Sequence, residues 1–303
     1  MKISLVKQAR RLAVALVAGA ILVVTGCTGG QTPTNNGGEL TGSFGVLGSN
    51  TVTPLSSMWA EAFMTAHPRV NIAISGPGSG AGIAALIDST TDVCQSSRPI
   101  KSSEIDQARA KGVEPYEIIV ASDGLAVVVN PANPISEITI EQLSAIYSGK
   151  VTNWKDVGGI DAPIVALARD TNSGTHVFFK EHVVQMAELP TKDTTLEYGA
   201  SVLLLPSTEA GVIETSQNAY AIFYPGLGYV TDEVKLLGIK KTGSDSAVKP
   251  SIETVLNGTY PVARPLLYYT NGEPTGLVKA YIDFCLSDEG QEMVAESGYV
   301  PLR

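Results

Sequence analysis

The sequence predicts an α/β fold of two interleaved domains joined by crossing strands. Three observations predict it. Strand-like and helix-like runs alternate from Leu40 onward, the rhythm of an α/β chain rather than of segregated strands and helices. The 303 residues exceed the roughly 100–200 of one ordinary domain. No Pro-, Ser- or charge-rich linker divides the chain into contiguous halves, so two domains must share it by crossing between them more than once.

Taken in order, Gly42–Leu47 reads as a strand and Pro54–Ala66 as a helix. Leu55, Met58, Trp59, Ala62 and Phe63 recur on one face of that helix, with Thr53 as N-cap and Pro54 at the first helical position, where a missing N–H costs nothing. Val70–Ser75 is the next strand, Gly80–Ser89 a helix and Asp92–Ser96 a strand. Gly124–Asn130 is a β-branched run closed by Asn-Pro, and Ile138–Ser148 is a helix closed by Gly149. Pro163–Leu167 is a strand leading to a loop, and Gly174–Met186 is a helix. Ala219–Tyr224, Gly228–Val230 and Tyr268–Thr270 are short strands, and helices Leu277–Leu286 and Glu289–Ser297 close the chain. The extended runs near Val127–Asn130 and Ile222–Tyr224 are the candidate crossings. Tyr268 and Tyr269, adjacent in a strand, point to opposite faces, and Trp59 and Trp154 are packing aromatics.

With 44% apolar and 17% charged residues, the chain can bury a sizeable core, which excludes disordered and collagen-like classes. Residues 1–26 read as a signal peptide: Lys2, Lys7, Arg10 and Arg11 precede an apolar run from Leu12 to Val24, shorter than the about 20 residues of a bilayer span. Val24-Thr25-Gly26-Cys27 resembles a lipobox, with Val24 where Leu is commoner. On that reading Cys27 is the lipidated N-terminus, residues 27–38 a flexible tether, and the protein is extracytoplasmic, anchored to the outer face of the cell membrane; the alternatives are an ordinary secretory signal with an incidental cysteine and an uncleaved N-terminal anchor. Dropping the leader's four basic residues from 21 leaves 17 Lys+Arg against 30 Asp+Glu, a net charge near −13. That argues against nucleic acid and anionic lipid as partners. Cys94 and Cys285, the remaining cysteines, are too few for a zinc site or a disulfide framework and read as buried small hydrophobes.

Three loops share one design, small hydroxyl-bearing residues directly before a helix: Gly48-Ser49-Asn50-Thr51, Gly78-Ser79-Gly80-Ala81-Gly82 and Asn172-Ser173-Gly174-Thr175. A helix start presents unpaired N–H groups and the positive end of its dipole, glycine permits close approach, and hydroxyls add donors. Each loop is a candidate oxyanion cradle as well as an ordinary N-cap. Arg169, four residues before Ser173, brings a guanidinium to one of them; the alternative is a surface pair with Asp170. Other chemistries fit poorly. Pro77 and Ala81 occupy the glycine positions of a nucleophile elbow around Ser79, and Ile83 the third glycine of a dinucleotide fingerprint. Lys150 lacks an upstream phosphate-loop glycine, and His67, His176 and His182 offer no i, i+4 pair for zinc. The residues favour binding over catalysis, with no catalytic group, cofactor or metal.

The sequence resembles the phosphate-binding lipoproteins of phosphate-specific ABC transporters, in the periplasmic-binding-protein superfamily. The markers are GSNTVTP at 48–54, GPGSGAGI at 76–83, SSRPI at 96–100, DGLAVVVNPANP at 123–134, ARDTNSGT at 168–175, AYAIFYPGLGYV at 219–230, the run 260–291 and GYVPL at 298–302. The resemblance implies the type II fold of that superfamily, with one domain of 39–127 and 226–303, the other of 128–225, and inorganic phosphate in the cleft between them. It implies a membrane permease as partner, and a monomer. On that mapping Ser49, Asn50, Thr51, Ser79 and Ser97 face the anion from the first domain, and Arg169, Ser173, Gly174 and Thr175 from the second.

Departures from the family are informative. His176 stands where Arg often follows Ser-Gly-Thr and reads as a partly exposed helical histidine. Asn50 replaces a commoner Ser or Thr. Ser97 stands where some phosphate binders carry a carboxylate that accepts the phosphate proton, so Asp123 is the candidate for that role or else a turn residue ahead of Gly124. Arg98 reads as a rim salt bridge. A binder of sulfate, molybdate or another tetrahedral oxyanion, a secreted phosphatase or esterase using a loop serine, and a surface sensor remain as alternatives.

Overall fold

The computed structural model describes residues 39–303; the expected leader, Cys27 and the tether lie outside them. The first five-stranded sheet has the order Val70–Ser75, Gly42–Gly48, Val93–Ser96, Ala263–Asn271, Pro115–Gly124. The first three strands are parallel, and Ala263–Asn271 runs antiparallel to both its neighbours. Val46 and Val93 are fully buried, as expected where both faces of a parallel sheet are covered. Helix Thr53–Ala66 buries Leu55, Ser56, Trp59, Ala60 and Phe63, one continuous stripe. Trp59 Nε1 donates to Gly290 O at 2.8 Å, tying it to the C-terminal helices. Its N-cap is Val52 rather than Thr53. The Thr53 hydroxyl has other work: it donates to Ser49 O at 2.9 Å and accepts from Gln95 Nε2 at 2.8 Å.

The second five-stranded sheet has the order Lys235–Leu236, Val128–Val129, Ala221–Phe223, Val165–Arg169, Leu203–Leu205. Its core centres on Tyr147, Trp154, Phe179 and Tyr224, with Phe179 stacked on Tyr224 at 3.8 Å between centroids. The expected continuous run Gly124–Asn130 divides: Pro115–Gly124 belongs to the first sheet and Val128–Val129 to the second. Between them Leu125 N donates to Val262 O at 2.8 Å and Ala126 N to Pro225 O at 2.9 Å. Three chain segments therefore pass between the sheets side by side. Strand pairing carries Lys235–Leu236 onto Val128–Val129 of the second sheet, while Gly238–Lys240 pairs with Glu137–Thr139 in a separate two-stranded sheet.

Other expected elements differ as well: Tyr268–Thr270 is part of the longer strand Ala263–Asn271, and Ile138 and Thr139 belong to strand Glu137–Thr139 ahead of helix Ile140–Tyr147. Gly228–Val230 is not a strand; Leu227–Tyr229 is a 3₁₀ turn, closed by Tyr229 N on Gly226 O at 3.0 Å, with Gly228 pressed against the Tyr299 ring. The helix from Gly174 is α-helical only to Phe179 and π-helical over Lys180–Val184, where Gln185 N reaches Lys180 O at 2.8 Å. Cys94 and Cys285 are buried and unbridged. Among the described residues no helix is long and apolar enough to cross a membrane.

Candidate anion-binding site

The cradle loops leave the carboxyl ends of parallel strands, where open α/β sheets collect their ligands. Strand Gly42–Gly48 ends at Gly48, whose φ of +146° and approach to Gln95 O leave no space for a side chain. This turns Ser49 inward. Ser49 Oγ lies 3.0 Å from Ser97 Oγ, Ser79 and Ser97 hydroxyls are 3.4 Å apart, and Ser97 N donates to Ser79 Oγ at 3.1 Å. Gly78, at φ +119°, precedes helix Ser79–Ile87.

The opposing face comes from the second sheet. Strand Val165–Arg169 delivers Arg169, only 1% exposed, and Ser173 caps the following helix by accepting from His176 N at 3.4 Å. The faces meet atom to atom. Thr51 Oγ1 lies 2.8 Å from Thr175 Oγ1, Asn50 Oδ1 accepts from Arg169 Nη1 at 3.0 Å and from Thr208 N at 3.1 Å, and Gly80 N donates to Asn172 O at 3.0 Å. A Cβ on Gly174 would stand 2.3 Å from Ser79 Oγ and 2.7 Å from Ser97 Oγ.

The electrostatics are those of a donor array. Arg169 also donates to Thr208 Oγ1 at 2.6 Å and Pro206 O at 3.0 Å. Burial pulls its pKa below the usual guanidinium value while Asp170 pulls the other way, so Arg169 is a cation in a poorly solvated place, ready for an anionic partner. Ser49 and Ser79 each accept from a backbone N–H, of Val52 and Ser97 respectively. Each therefore keeps its proton to give to a third group. Donor hydroxyls, helix starts and one buried guanidinium together suit a small oxyanion.

A model of the PBP superfamily domain matches residues 33–289. The chain belongs to the PBP superfamily. Within it, the phosphate-binding protein PstS of Pseudomonas aeruginosa is 31% identical over 280 residues, covering 87% of this chain and 84% of the relative. That of Staphylococcus epidermidis is 31% identical over 292 residues, covering 94% and 86%. A crystal structure from Clostridium perfringens, of a phosphate ABC-transporter substrate-binding protein with bound phosphate, superposes with a TM-score of 0.75 at 33% identity, covering 86% of this chain and all of that one.

In this PBP-superfamily chain every expected site residue except Asp123 lies in the two facing loop sets. Asp123 sits behind them, fully buried: Oδ2 accepts from Arg264 Nε and Nη2 at 3.1 and 2.8 Å, and Oδ1 from Leu227 N at 2.9 Å. Burial raises its pKa, against the pull of Arg264 and of the Leu227 N–H. With both oxygens held by protein donors, Asp123 is placed to hold Arg264 rather than to meet an anion. His176 is a correction: it is buried, not partly exposed. Its Nδ1 lies 2.7 Å from Arg169 O and its ring 4.4 Å from Tyr198. Burial lowers its pKa, which disfavours a second cation there. Arg169 does pair with Asp170, Nη2 to Oδ2 at 3.5 Å, but its side chain is buried rather than on the surface. Arg98 turns to Glu104, with bonds of 2.8 and 2.7 Å, although it is buried rather than on a rim.

Arg264, Thr208 and Tyr229, whose hydroxyl donates to Asn50 O at 2.7 Å, also reach the site, from segments outside the three cradle loops. For Arg264 a signal existed. A lone arginine among the apolar residues of strand Ala263–Asn271 requires a buried partner. Among the described residues no cluster of His, Cys, Asp and Glu could hold a metal ion.

Proposed function

We propose that this chain captures inorganic phosphate outside the cytoplasm and delivers it to the membrane permease of an ABC importer. The observation that carries the reading is the convergence of Ser49, Asn50, Thr51, Ser79 and Ser97 on Arg169, Ser173, Gly174 and Thr175 across two sheets. Phosphate is gripped by these donors, with Arg169 as principal cation. An anion enters by replacing the hydroxyl-to-hydroxyl contacts, so the faces part to admit it and close again upon it. The two sheets with their helices act as the two lobes, the Leu125, Pro225 and Val262 segments as the hinge, and the closed form as the shape that the permease reads. The relatives' phosphate-binding names and the phosphate-bound Clostridium perfringens structure support this reading.

The receptor carries out no chemistry, requires no cofactor, works as a monomer and is tethered through lipidated Cys27. Isothermal titration with phosphate and then sulfate tests the function. One-to-one phosphate binding that sulfate does not displace, and that Arg169→Ala abolishes, is the expected result. Sulfate binding in its place would overturn the ligand, and turnover of a chromogenic phosphate ester would overturn the receptor role.

A further inference from the structure

We propose that Arg264 is a positioning residue of the anion site, one that fixes Thr175 as a donor and braces the meeting of the two loop sets. The inference rests on the phosphate reading and adds a residue to it. Arg264 lies opposite Asp123 in the register of strands Ala263–Asn271 and Pro115–Gly124, and both side chains are fully buried. Three of its four hydrogen bonds stay close to the first sheet: two converge on Asp123 Oδ2, and Nη1 donates to Ser97 O at 3.1 Å. The fourth crosses to the second face, from Nη2 to Thr175 Oγ1 at 2.9 Å. Phe178, one helical turn beyond, sets its ring 5.5 Å from the same guanidinium, within cation–π range.

The consequence for Thr175 follows from proton counting. A guanidinium has donors and no acceptor, whereas a threonine hydroxyl has one proton and two lone pairs. Thr175 Oγ1 must therefore accept from Arg264. Its own proton is left for the Thr51 side, 2.8 Å away, or for an anion oxygen placed between the faces. Arg264 thereby does for Thr175 what the Val52 and Ser97 N–H groups do for Ser49 and Ser79. The Thr175 bond also breaks when the faces part, while those to Asp123 and Ser97 belong to one side and persist. Arg264 is thus a closure contact as well as an orienting one. Lysine cannot replace it, because one ammonium cannot serve three partners in the directions that the guanidinium fork reaches.

A double-mutant cycle on phosphate affinity tests this, using wild type, Arg264→Lys, Thr175→Val and the double variant. Wild type is titrated first: failure to bind phosphate overturns the phosphate reading and this inference with it. Given binding, Arg264→Lys should weaken Kd about tenfold or more, as expected for a lost bond to a charged group. In the Thr175→Val background the same change should cost less than about twofold, because its effect travels through the missing hydroxyl. Independent, multiplying losses would show a merely structural role and overturn the inference, as would an unchanged Kd in Arg264→Lys. If Arg264→Lys does not melt cooperatively, Asp123→Asn with Arg264→Gln removes both buried charges together and takes its place in the cycle, with the same outcomes deciding.

Discussion

Asn50 Oδ1 and Arg169 Nη1 are 3.0 Å apart, so the principal cation of the proposed site is already held by a neutral acceptor from the opposite face. Replacing that acceptor by a carboxylate converts a loose latch into an internal anion. Asn50→Asp should weaken phosphate binding about tenfold or more, since an ionised acceptor makes a bond roughly twice as strong as a neutral one and competes for the same guanidinium. Thermal stability should be retained or raised. Titration together with a melting curve checks both, and undiminished affinity would show that Arg169 does not meet the ligand.

Gly174 packs against the opposite face so closely that an added Cβ would stand 2.3 Å from Ser79 Oγ. Gly174→Ala should fold normally, because Gly174 begins a helix, but should not close. We expect a loss of about tenfold or more in phosphate affinity, the scale set by displacing several contacts at a packed site. Small-angle scattering with phosphate should show the variant more extended than wild type; identical compaction would count against closure.

His176 and His182 both have pKa values lowered from 6.5, in each case chiefly by burial. The folded protein therefore binds fewer protons than the unfolded chain near and below that pH. The stabilisation due to neutral histidine is present above about pH 6.5 and lost as pH falls through the lower folded values. Melting temperature should fall from about pH 7.5 to 5.5. In His176→Asn, whose amide can still donate to Arg169 O, the decline should be shallower; an unchanged slope would remove His176 from the account.

Helix Thr208–Gln217 packs so closely on strand Ala221–Phe223 that a Cβ at Gly211 would lie 2.2 Å from the Phe223 ring. Gly211→Ala gains about 1 kcal/mol of helix propensity and meets an overpacking cost of about 1–3 kcal/mol. The ring is fully buried, so net destabilisation is expected in denaturant unfolding. Since the same helix carries Thr208, a ligand of the Arg169 side chain, phosphate affinity should fall with it.

The cradle was legible because its residues do local work: Ser49, Ser79 and Ser173 sit where a strand gives way to a helix, a boundary that composition marks. The Asp123–Arg264 pair was not, because its members are far apart in the chain and only strand register unites them. Helix Ser102–Ala110 buries only Ala108, and Thr208–Gln217 buries Thr208, Gly211, Val212 and Thr215; neither writes an apolar stripe into the sequence. Strand Pro115–Gly124 escaped for a related reason. Its first half is largely exposed, with Ile119 47% accessible, so alternation does not announce it. The burial of His176 was hidden too, since Tyr198 and the Arg169 carbonyl reach it from other elements.

The strand order of the first sheet has a bearing on biogenesis. Ala263–Asn271 lies between Val93–Ser96 and Pro115–Gly124, so in a growing polypeptide Pro115–Gly124 has no partner in that sheet until residues 263–271 have been translated. Pairings of such long sequence separation form slowly. The architecture thus delays completion of the first sheet until Ala263–Asn271 arrives to bridge its two parts.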